Sequence, residues 1–243
     1  MIKEIITNAT GKEMLRYLSS INEKIYEKVN YGTNDLVCDI VTKQITNIDY
    51  DLATNIHESL FSYCKNLTEV SMMRVTSIEN EAFCSCTNLI TASFGRINSM
   101  GNSVFEGCYK LTSFSYATGS LSTLPNRTFI NCYKLSNISL YGISTIETSA
   151  FSSCSSIPKI EMPSVTSIKS LVFNPCTSLV TVVITKTGTV CILSNLNAFN
   201  DTPISKGTGY IYVPDELVDQ YKTATNWSVY ANQIKPLSEY VES

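Results

Sequence analysis

Apolar and polar residues follow one another along this chain in a pattern that repeats about every 22 residues. Each repeat opens with a phenylalanine, places a cysteine three positions later and a leucine or isoleucine six positions later. The phenylalanines are Phe61, Phe83, Phe105, Phe129, Phe151 and Phe173, spaced 22, 22, 24, 22 and 22 residues apart. A fixed period of this length predicts a solenoid, in which each repeat forms one coil of a stacked body.

The fifth repeat shows how one coil is expected to fold. Phe151, Cys154 and Ile157 recur at a spacing of three, which suits a short helical or 3₁₀ turn with one face directed inward. Ile160 and Met162 then alternate with polar residues, as in a half-buried strand. A second inward pair follows on the way back to the next phenylalanine. The other repeats have the strand pairs Val70/Met72, Ala92/Phe94, Phe114/Tyr116, Ile138/Leu140 and Val182/Ile184.

Stacked coils of this kind are predicted to form a parallel sheet over a continuous buried column of Phe, Cys, Leu and Ile. Each coil alone buries too little apolar surface to offset its chain entropy, so stability comes from the interfaces between neighbouring coils. The 24-residue spacing carries its extra residues at 117–120, where the composition Ala-Thr-Gly-Ser predicts a surface loop.

The two ends depart from the repeat. Residues 10–30 are predicted to form an amphipathic helix, which either covers the first coil or pairs with copies of itself. After residue 184 the pattern breaks, since Thr202 replaces the cysteine that should follow Phe199. A last strand at 211–213 and a helix opening near Pro214 are expected beyond it. We therefore divide the chain into an N-terminal helix or cap (1–35), a solenoid (36–200) and a C-terminal cap (201–243).

The repeat Phe-x-x-Cys-x-x-Leu-x-x-Ile-x-Leu resembles the BspA-type leucine-rich repeat, also called the Treponema pallidum type, over about residues 52–184. The segment 210–221, with Trp227, Tyr230 and Pro236 downstream, resembles the closing segment of such proteins in gut bacteria and their phages. The resemblance implies a leucine-rich-repeat solenoid that is mainly β, with a parallel sheet and short helical or 3₁₀ turns. Members of this family are often surface or secreted proteins that bind host or partner molecules.

Composition and charge exclude several classes of partner. Charged residues make up 16% of the chain, the formal net charge is −3, and there is no run of Lys or Arg. These values argue against nucleic acid and against an anionic membrane surface. The sequence contains no stretch of about 18 apolar residues, so no membrane-spanning helix is predicted. The first residues lack the apolar run of a signal peptide, so we expect a cytoplasmic or virion location.

The sequence offers little support for catalysis, a cofactor or a metal. The single histidine, His57, occupies a repeat position equivalent to Asn80 and Asn102 and is interpreted as a solvated turn residue. Cys84 and Cys86 raise the alternative of a zinc site, but Cys86 belongs to the repeated cysteine position, which has a packing reason to exist. There is no glycine-rich phosphate loop and no paired carboxylates, so we expect no enzyme, no cofactor and no metal.

The candidate partner-binding residues lie at exposed repeat positions. Tyr109 and Tyr133 share one position and each precedes a lysine, Lys110 or Lys134; Tyr63, Tyr116 and Tyr141 could extend this aromatic ridge. Outward strand positions carry Ser93, Ser115 and Ser139, a weakly charged face that would suit protein or glycan contact. The alternatives are that the tyrosines seal the coil edges and that the serines provide solubility alone.

The function expected from the sequence is a non-enzymatic leucine-rich-repeat recognition module that binds a protein partner, or a cell-surface glycan, through its solenoid surface. The alternative is a structural or adhesive phage virion component, such as a tail fibre, a receptor-binding protein or a decoration protein. That alternative would be favoured by homo-oligomer formation through residues 1–30, and a soluble monomer would favour the recognition module.

Overall fold

The computed structural model describes residues 48–49 (backbone only), 54–117 and 119–242. Within these ranges the strands are β1 (Ile48–Asp49), β2 (Asn55–Ile56), β3 (Glu69–Met72), β4 (Ser77–Ile78), β5 (Thr91–Arg96), β6 (Ser99–Met100), β7 (Ser113–Ala117), β8 (Thr123–Leu124), β9 (Asn137–Ile138), β10 (Thr145–Ile146), β11 (Lys159–Met162), β12 (Ser167–Ile168), β13 (Thr181–Ile184), β14 (Ile192–Leu193), β15 (Tyr210–Val213) and β16 (Ile234–Pro236). The α-helix is α1 (Val218–Thr223), and 3₁₀ helices span Leu196–Phe199, Asp215–Leu217, Ser228–Tyr230 and Leu237–Glu239.

The strands form two faces of a solenoid, and all of their pairings are parallel. The front face consists of a sheet of order β1-β3-β5-β7-β9 and a second of order β11-β13-β15-β16. The back face consists of the sheets β2-β4-β6 and β8-β10-β12-β14. Equivalent residues of successive coils pair directly, as Val70 with Ala92 and Lys159 with Thr181. The 22-residue period thus fixes the register, because a slip of one residue would turn every inward side chain outward.

The third side of each coil is a tight turn around the repeated phenylalanine. In the third coil the N–H of Cys108 donates to the carbonyl of Phe105 at 3.1 Å, which closes one 3₁₀-like turn. Residues two positions before and after the phenylalanine, here Ser103 and Gly107, have φ of 56° and 71°. Glycine adopts this left-handed region without steric cost. The Phe105 N–H also donates to Thr128 O of the next coil at 2.9 Å, so hydrogen bonds join the coils on this side as well.

The core is a column of stacked rings beside a column of thiols. Ring centroids of successive phenylalanines lie 5.2 to 5.6 Å apart from Phe61 to Phe199. The Sγ of Cys154 donates to the carbonyl of Phe129 in the preceding coil at 3.1 Å, and Cys86, Cys108, Cys132 and Cys176 make the same contact one coil apart. The expected buried thiol column is therefore confirmed, and its thiols from Cys86 to Cys176 form no disulfide.

The expected continuous front sheet is interrupted after β9, which has no pairing with β11. Ile138, predicted as an inward strand residue, is only half-buried, whereas Leu140 is buried. The physical cause lies at Pro158. At this repeat position the N–H normally bonds the preceding coil, as Thr112 N does to Ile90 O at 2.8 Å and Val180 N does to Pro158 O at 3.0 Å. Proline has no N–H, so the link to Ser136 O is lost.

The stack continues further toward the C-terminus than the broken sequence pattern suggested. Phe199 is fully buried on Phe173 with centroids 5.2 Å apart, and β14 adds a back strand to this coil. Thr202 replaces the cysteine and bonds within its own coil, to Phe199 O at 2.6 Å. Strand β15 and helix α1 form the expected strand–helix cap, and β16, which the sequence did not predict, extends the same sheet.

The predicted helix over residues 10–30, and with it the alternative of self-association through residues 1–30, lies outside the described residues. Across the part of the chain that the structure describes, no helix combines the length and the apolar composition needed to cross a bilayer.

Candidate binding surfaces

Two exposed tyrosines stack on one another at the edge of neighbouring coils. Tyr109 and Tyr133 follow the buried Cys108 and Cys132 directly, so the turn that buries each thiol directs the next side chain to solvent. Their ring centroids are 5.3 Å apart with an interplanar angle of 21°. The two residues are 45% and 42% exposed, respectively. The two-residue insertion in this repeat lies elsewhere, at 117–120, and leaves these positions aligned.

Lysines flank this aromatic pair. Lys110 and Lys134 are both exposed, and neither forms an ion pair with any other described residue. We call Tyr109, Lys110, Tyr133 and Lys134 the tyrosine–lysine ridge. The structure brings these four predicted residues together into one aromatic and cationic patch.

The predicted serines divide between two places. Ser93 and Ser115 pair across β5 and β7, and the Ser115 hydroxyl donates to Ser93 Oγ at 3.1 Å. Ser139 lies beyond the end of β9, where its Oγ accepts from Tyr141 N at 3.4 Å. The front face is thus a serine ladder only as far as the break in the sheet.

The other tyrosines do not form one continuous ridge with Tyr109 and Tyr133. Tyr63 is 44% exposed and precedes its cysteine instead of following it. Tyr116 lies in β7, and its hydroxyl donates to the carbonyl of Tyr141 at 3.0 Å. Burial raises the pKa of Tyr116, so this hydroxyl keeps its proton, and can donate, to a higher pH than an exposed tyrosine.

The break in the front sheet leaves a cleft of about 410 Å³, which we call the sheet-break cleft. One wall is the segment 136–141, and the other is formed by Pro158, Lys159, Glu161 and Pro163. Tyr141 lies at this cleft and is 62% exposed. Apolar groups of Ile138 and the prolines alternate there with hydroxyl, amide and charged groups.

Lys159 is held from two sides. Its Nζ lies 2.8 Å from Glu161 Oε1 and donates to the Tyr240 hydroxyl at 3.0 Å; it also lies 3.9 Å from a Glu242 oxygen. The hydrogen bond to Glu161 raises the pKa of Lys159, so the ammonium stays charged at physiological pH. No pattern in the sequence indicates this contact, because Tyr240 is 81 residues away.

The residues considered for catalysis are placed in structural roles. His57 Nδ1 lies 3.2 Å from Glu79 Oε1, and Glu79 also accepts from Asn55 at 2.8 Å and from Glu58 N at 2.9 Å. The bond from Asn55 lowers the pKa of Glu79 most. Cys84 is half-buried, and desolvation raises the pKa of its thiol, which opposes formation of a nucleophilic thiolate. Among the described residues, no group of three His, Cys, Asp or Glu side chains could hold a metal ion.

Comparison with family profiles decides which family this fold belongs to. The BspA type leucine-rich-repeat region matches residues 54–180 in six copies. The chain belongs to the BspA-type leucine-rich-repeat family. The six copies of the profile cover the six Phe-x-x-Cys turns, so the family assignment and the observed coils rest on the same residues.

Two solved structures are similar to this chain. A leucine-rich repeat protein from Eubacterium ventriosum aligns with a TM-score of 0.57 and 20% identity over 65% of this chain and 43% of that one. A leucine-rich repeat protein from Bacteroides ovatus aligns with a TM-score of 0.46 and 19% identity over 77% of this chain and 58% of that one. At such identity the first similarity shows the fold alone. The chain spans about half the length of these proteins. Comparison with curated proteins gives no match.

The sheet-break cleft is the feature that the sequence pattern missed. Ile160 and Met162 keep the alternation of a normal strand, so the hydrophobic pattern continues through the break. Pro158 was the residue that could have indicated the break in the sheet, since a proline at a paired strand position removes a hydrogen bond between strands.

Proposed function

We propose that this protein is a non-enzymatic recognition module that binds a protein partner through the tyrosine–lysine ridge. The observation that carries the proposal is the stacked and exposed pair of Tyr109 and Tyr133. The family assignment supports a protein-binding or surface module in general, and the ridge supplies a specific place for the contact.

The ridge has the physical properties of an interface hot spot. Tyrosine is enriched in such sites because its ring buries a large apolar area while its hydroxyl can still form a hydrogen bond. Stacking already restricts both rings in the unbound protein, so less side-chain entropy remains to be lost on binding. Truncation of such an anchor typically costs about 2 kcal/mol or more of binding free energy.

The flanking lysines favour a partner with an acidic surface. Lys110 and Lys134 are exposed, and among the described residues they have no carboxylate partner that a ligand would have to displace. Opposite charge on the partner would increase the association rate, and that increase would be screened by salt. The chain as a whole has a formal net charge of −3, so a positively charged patch is a local exception to its overall charge.

A quantitative capture experiment tests the proposal. The immobilised full chain and its Tyr109→Ala/Tyr133→Ala variant are exposed to the same protein extract, and captured proteins are quantified by mass spectrometry. Tyr141→Ala is the control, since it removes an even more exposed tyrosine that lies away from the ridge. We expect a partner that is lost with the double variant and retained with the control.

The partner identified in this way is then purified, and its affinity is measured for all three proteins. We expect at least a tenfold weaker Kd for the double variant and a further weakening between about 50 and 200 mM salt. Equal binding by the double variant and the wild-type chain would contradict the assignment of the ridge.

A further inference from the structure

The sheet-break cleft opens only on the front of the solenoid. Behind it the coils remain joined, because β10 and β12 pair through Thr145–Ser167 and Ile146–Ile168. The rings of Phe129 and Phe151 are also stacked there, with centroids 5.6 Å apart. The two coils therefore separate as a wedge, with a closed base and an open mouth.

The size of this wedge suits a small ligand or a short stretch of a polymer. Its volume of about 410 Å³ falls within the range of about 300–1,000 Å³ found for small-molecule sites. The base is the packed core, so an occupant has to enter from the front face.

The walls offer donors and acceptors in mixed order. Asn137 carries an amide and Ser139 a hydroxyl, and both groups can donate and accept. On the opposite wall, two of the three N–H groups of Lys159 bond Glu161 and Tyr240, which leaves one N–H as a donor, and the Glu161 carboxylate supplies acceptors. A ligand must therefore also present both kinds of group, at several points close together.

The aromatic side of the cleft is pre-positioned. The Tyr116 hydroxyl holds the Tyr141 carbonyl at 3.0 Å, and the Tyr141 N–H donates to Ser139 Oγ. These bonds fix the backbone at Tyr141, while the residue remains 62% exposed. An exposed ring beside a polar groove can pack against an apolar face of a ligand whose edge is hydrogen-bonded by the groove.

We propose that the sheet-break cleft is a binding site for a short neutral saccharide, with Tyr141 packing on a sugar ring and Lys159, Glu161, Ser139 and Asn137 bonding its hydroxyls. A pyranose has an apolar C–H face and a rim of hydroxyls that donate and accept at neighbouring positions. This is the combination that the two walls present.

The charge of the cleft separates this class from others. Glu161 and Glu242 both lie within 4 Å of the Lys159 ammonium, so the only cation of the cleft is already compensated and an anionic ligand gains little. An apolar ligand would desolvate the Lys159–Glu161 pair and the Asn137 amide without supplying hydrogen bonds in return. The site is independent of the tyrosine–lysine ridge, and each proposal can fail without the other.

Ligand-observed saturation-transfer NMR on the full chain tests the proposal. The probes are neutral trisaccharides of glucose (α- and β-linked), mannose, xylose and N-acetylglucosamine, with sialyllactose as the anionic comparison, each at up to about 10 mM so that millimolar affinities are detected. We expect at least one neutral trisaccharide to bind, and sialyllactose to bind more weakly.

Two variants locate the binding. Tyr141→Ala should weaken the affinity at least tenfold, whereas Tyr109→Ala, which removes an exposed tyrosine of the ridge, should leave it unchanged. Pro158→Thr restores an N–H at the position where Thr112 bonds the preceding coil, and should narrow the cleft and abolish binding without lowering the unfolding midpoint. Absence of binding by every neutral probe, equal loss in Tyr141→Ala and Tyr109→Ala, or a preference for sialyllactose would each overturn the proposal.

Discussion

The phenyl ring of Phe129 lies between the rings of Phe105 and Phe151, at centroid distances of 5.5 and 5.6 Å, and is fully buried. A ring in this position packs against both neighbouring coils. We expect Phe129→Ala to lower the free energy of unfolding by about 3–5 kcal/mol, because the cavity lies in a close-packed column that can relax little. Urea denaturation followed by circular dichroism measures this loss.

Tyr133→Ala provides the matched control, since it also removes a ring from the same coil but from an exposed position. The control should change the unfolding free energy by no more than about 0.5 kcal/mol. A loss below about 1 kcal/mol for Phe129→Ala would show that the column is not packed as described.

At the scale of single residues, the sequence was sufficient for most of the core. The fixed spacing predicted that Phe129 and Cys132 would be buried, and the structure confirms both. For Tyr133 beside them, an exposed ridge residue and a seal of the coil edge were the alternatives, and the residue is 42% exposed. The acceptor of the thiol, the carbonyl of a phenylalanine one coil earlier, could not be predicted because it depends on the offset between coils.

At the scale of elements, the C-terminal cap is attached to the last coil by side-chain hydrogen bonds to one peptide segment. The Tyr221 hydroxyl on α1 accepts from Cys191 N at 2.9 Å, and Trp227 Nε1 donates to Cys191 O at 2.6 Å. Both backbone groups of Cys191 are therefore satisfied by aromatic residues of the cap. Burial raises the pKa of the Tyr221 hydroxyl, consistent with a neutral phenol in this place.

This arrangement predicts the effect of removing one oxygen atom. Tyr221→Phe should lower the free energy of unfolding by about 1–3 kcal/mol, because the buried N–H of Cys191 is left without an acceptor. Tyr109→Phe, at an exposed position, should be neutral within about 0.5 kcal/mol. Denaturant titration of the two variants side by side decides this, and equal stabilities would refute the role given to the hydroxyl.

The elements that the sequence did not reveal are those that depend on contacts between coils. A proline before β11 is visible in the chain, but its consequence depends on whether the neighbouring coil loses its hydrogen bond, as Ser136 does here. Likewise Phe199 continues the column although Thr202 replaces the cysteine, because the ring stack and not the thiol determines the position of this coil. The tyrosine–lysine ridge could be predicted because it follows the repeat, whereas the sheet-break cleft is an exception to the repeat.

At the scale of the whole molecule, successive coils of the stack each bury one cysteine thiol, which is an ionisable group. Burial raises the pKa of Cys108, Cys132 and Cys154, and raises that of Cys176 to about 12. The pKa of a cysteine thiol in an unfolded chain is about 8.5. Above that pH the unfolded chain binds fewer protons than the folded protein, so the free energy of unfolding falls as pH rises. The stabilisation is fully present below about pH 8 and is lost progressively toward the folded pKa values.

Each buried thiol should therefore contribute about 1–2 kcal/mol to a loss of stability between pH 8 and pH 10. Tyrosines also begin to titrate toward the upper end of this range, so the thiol contribution is taken from the difference between a variant and the wild-type chain. The measurement is the free energy of unfolding by urea at both pH values, under reducing conditions. Cys154→Ala should reduce the difference between the two pH values by about 1–2 kcal/mol, whatever its own stability at pH 8. Cys84→Ala should reduce it less, since the Cys84 thiol is only half-buried. Cys154→Ala and the wild-type chain could instead lose the same stability between pH 8 and pH 10. That result would mean that the Cys154 thiol ionises equally well in the folded and unfolded protein, and it would contradict the full burial of this residue.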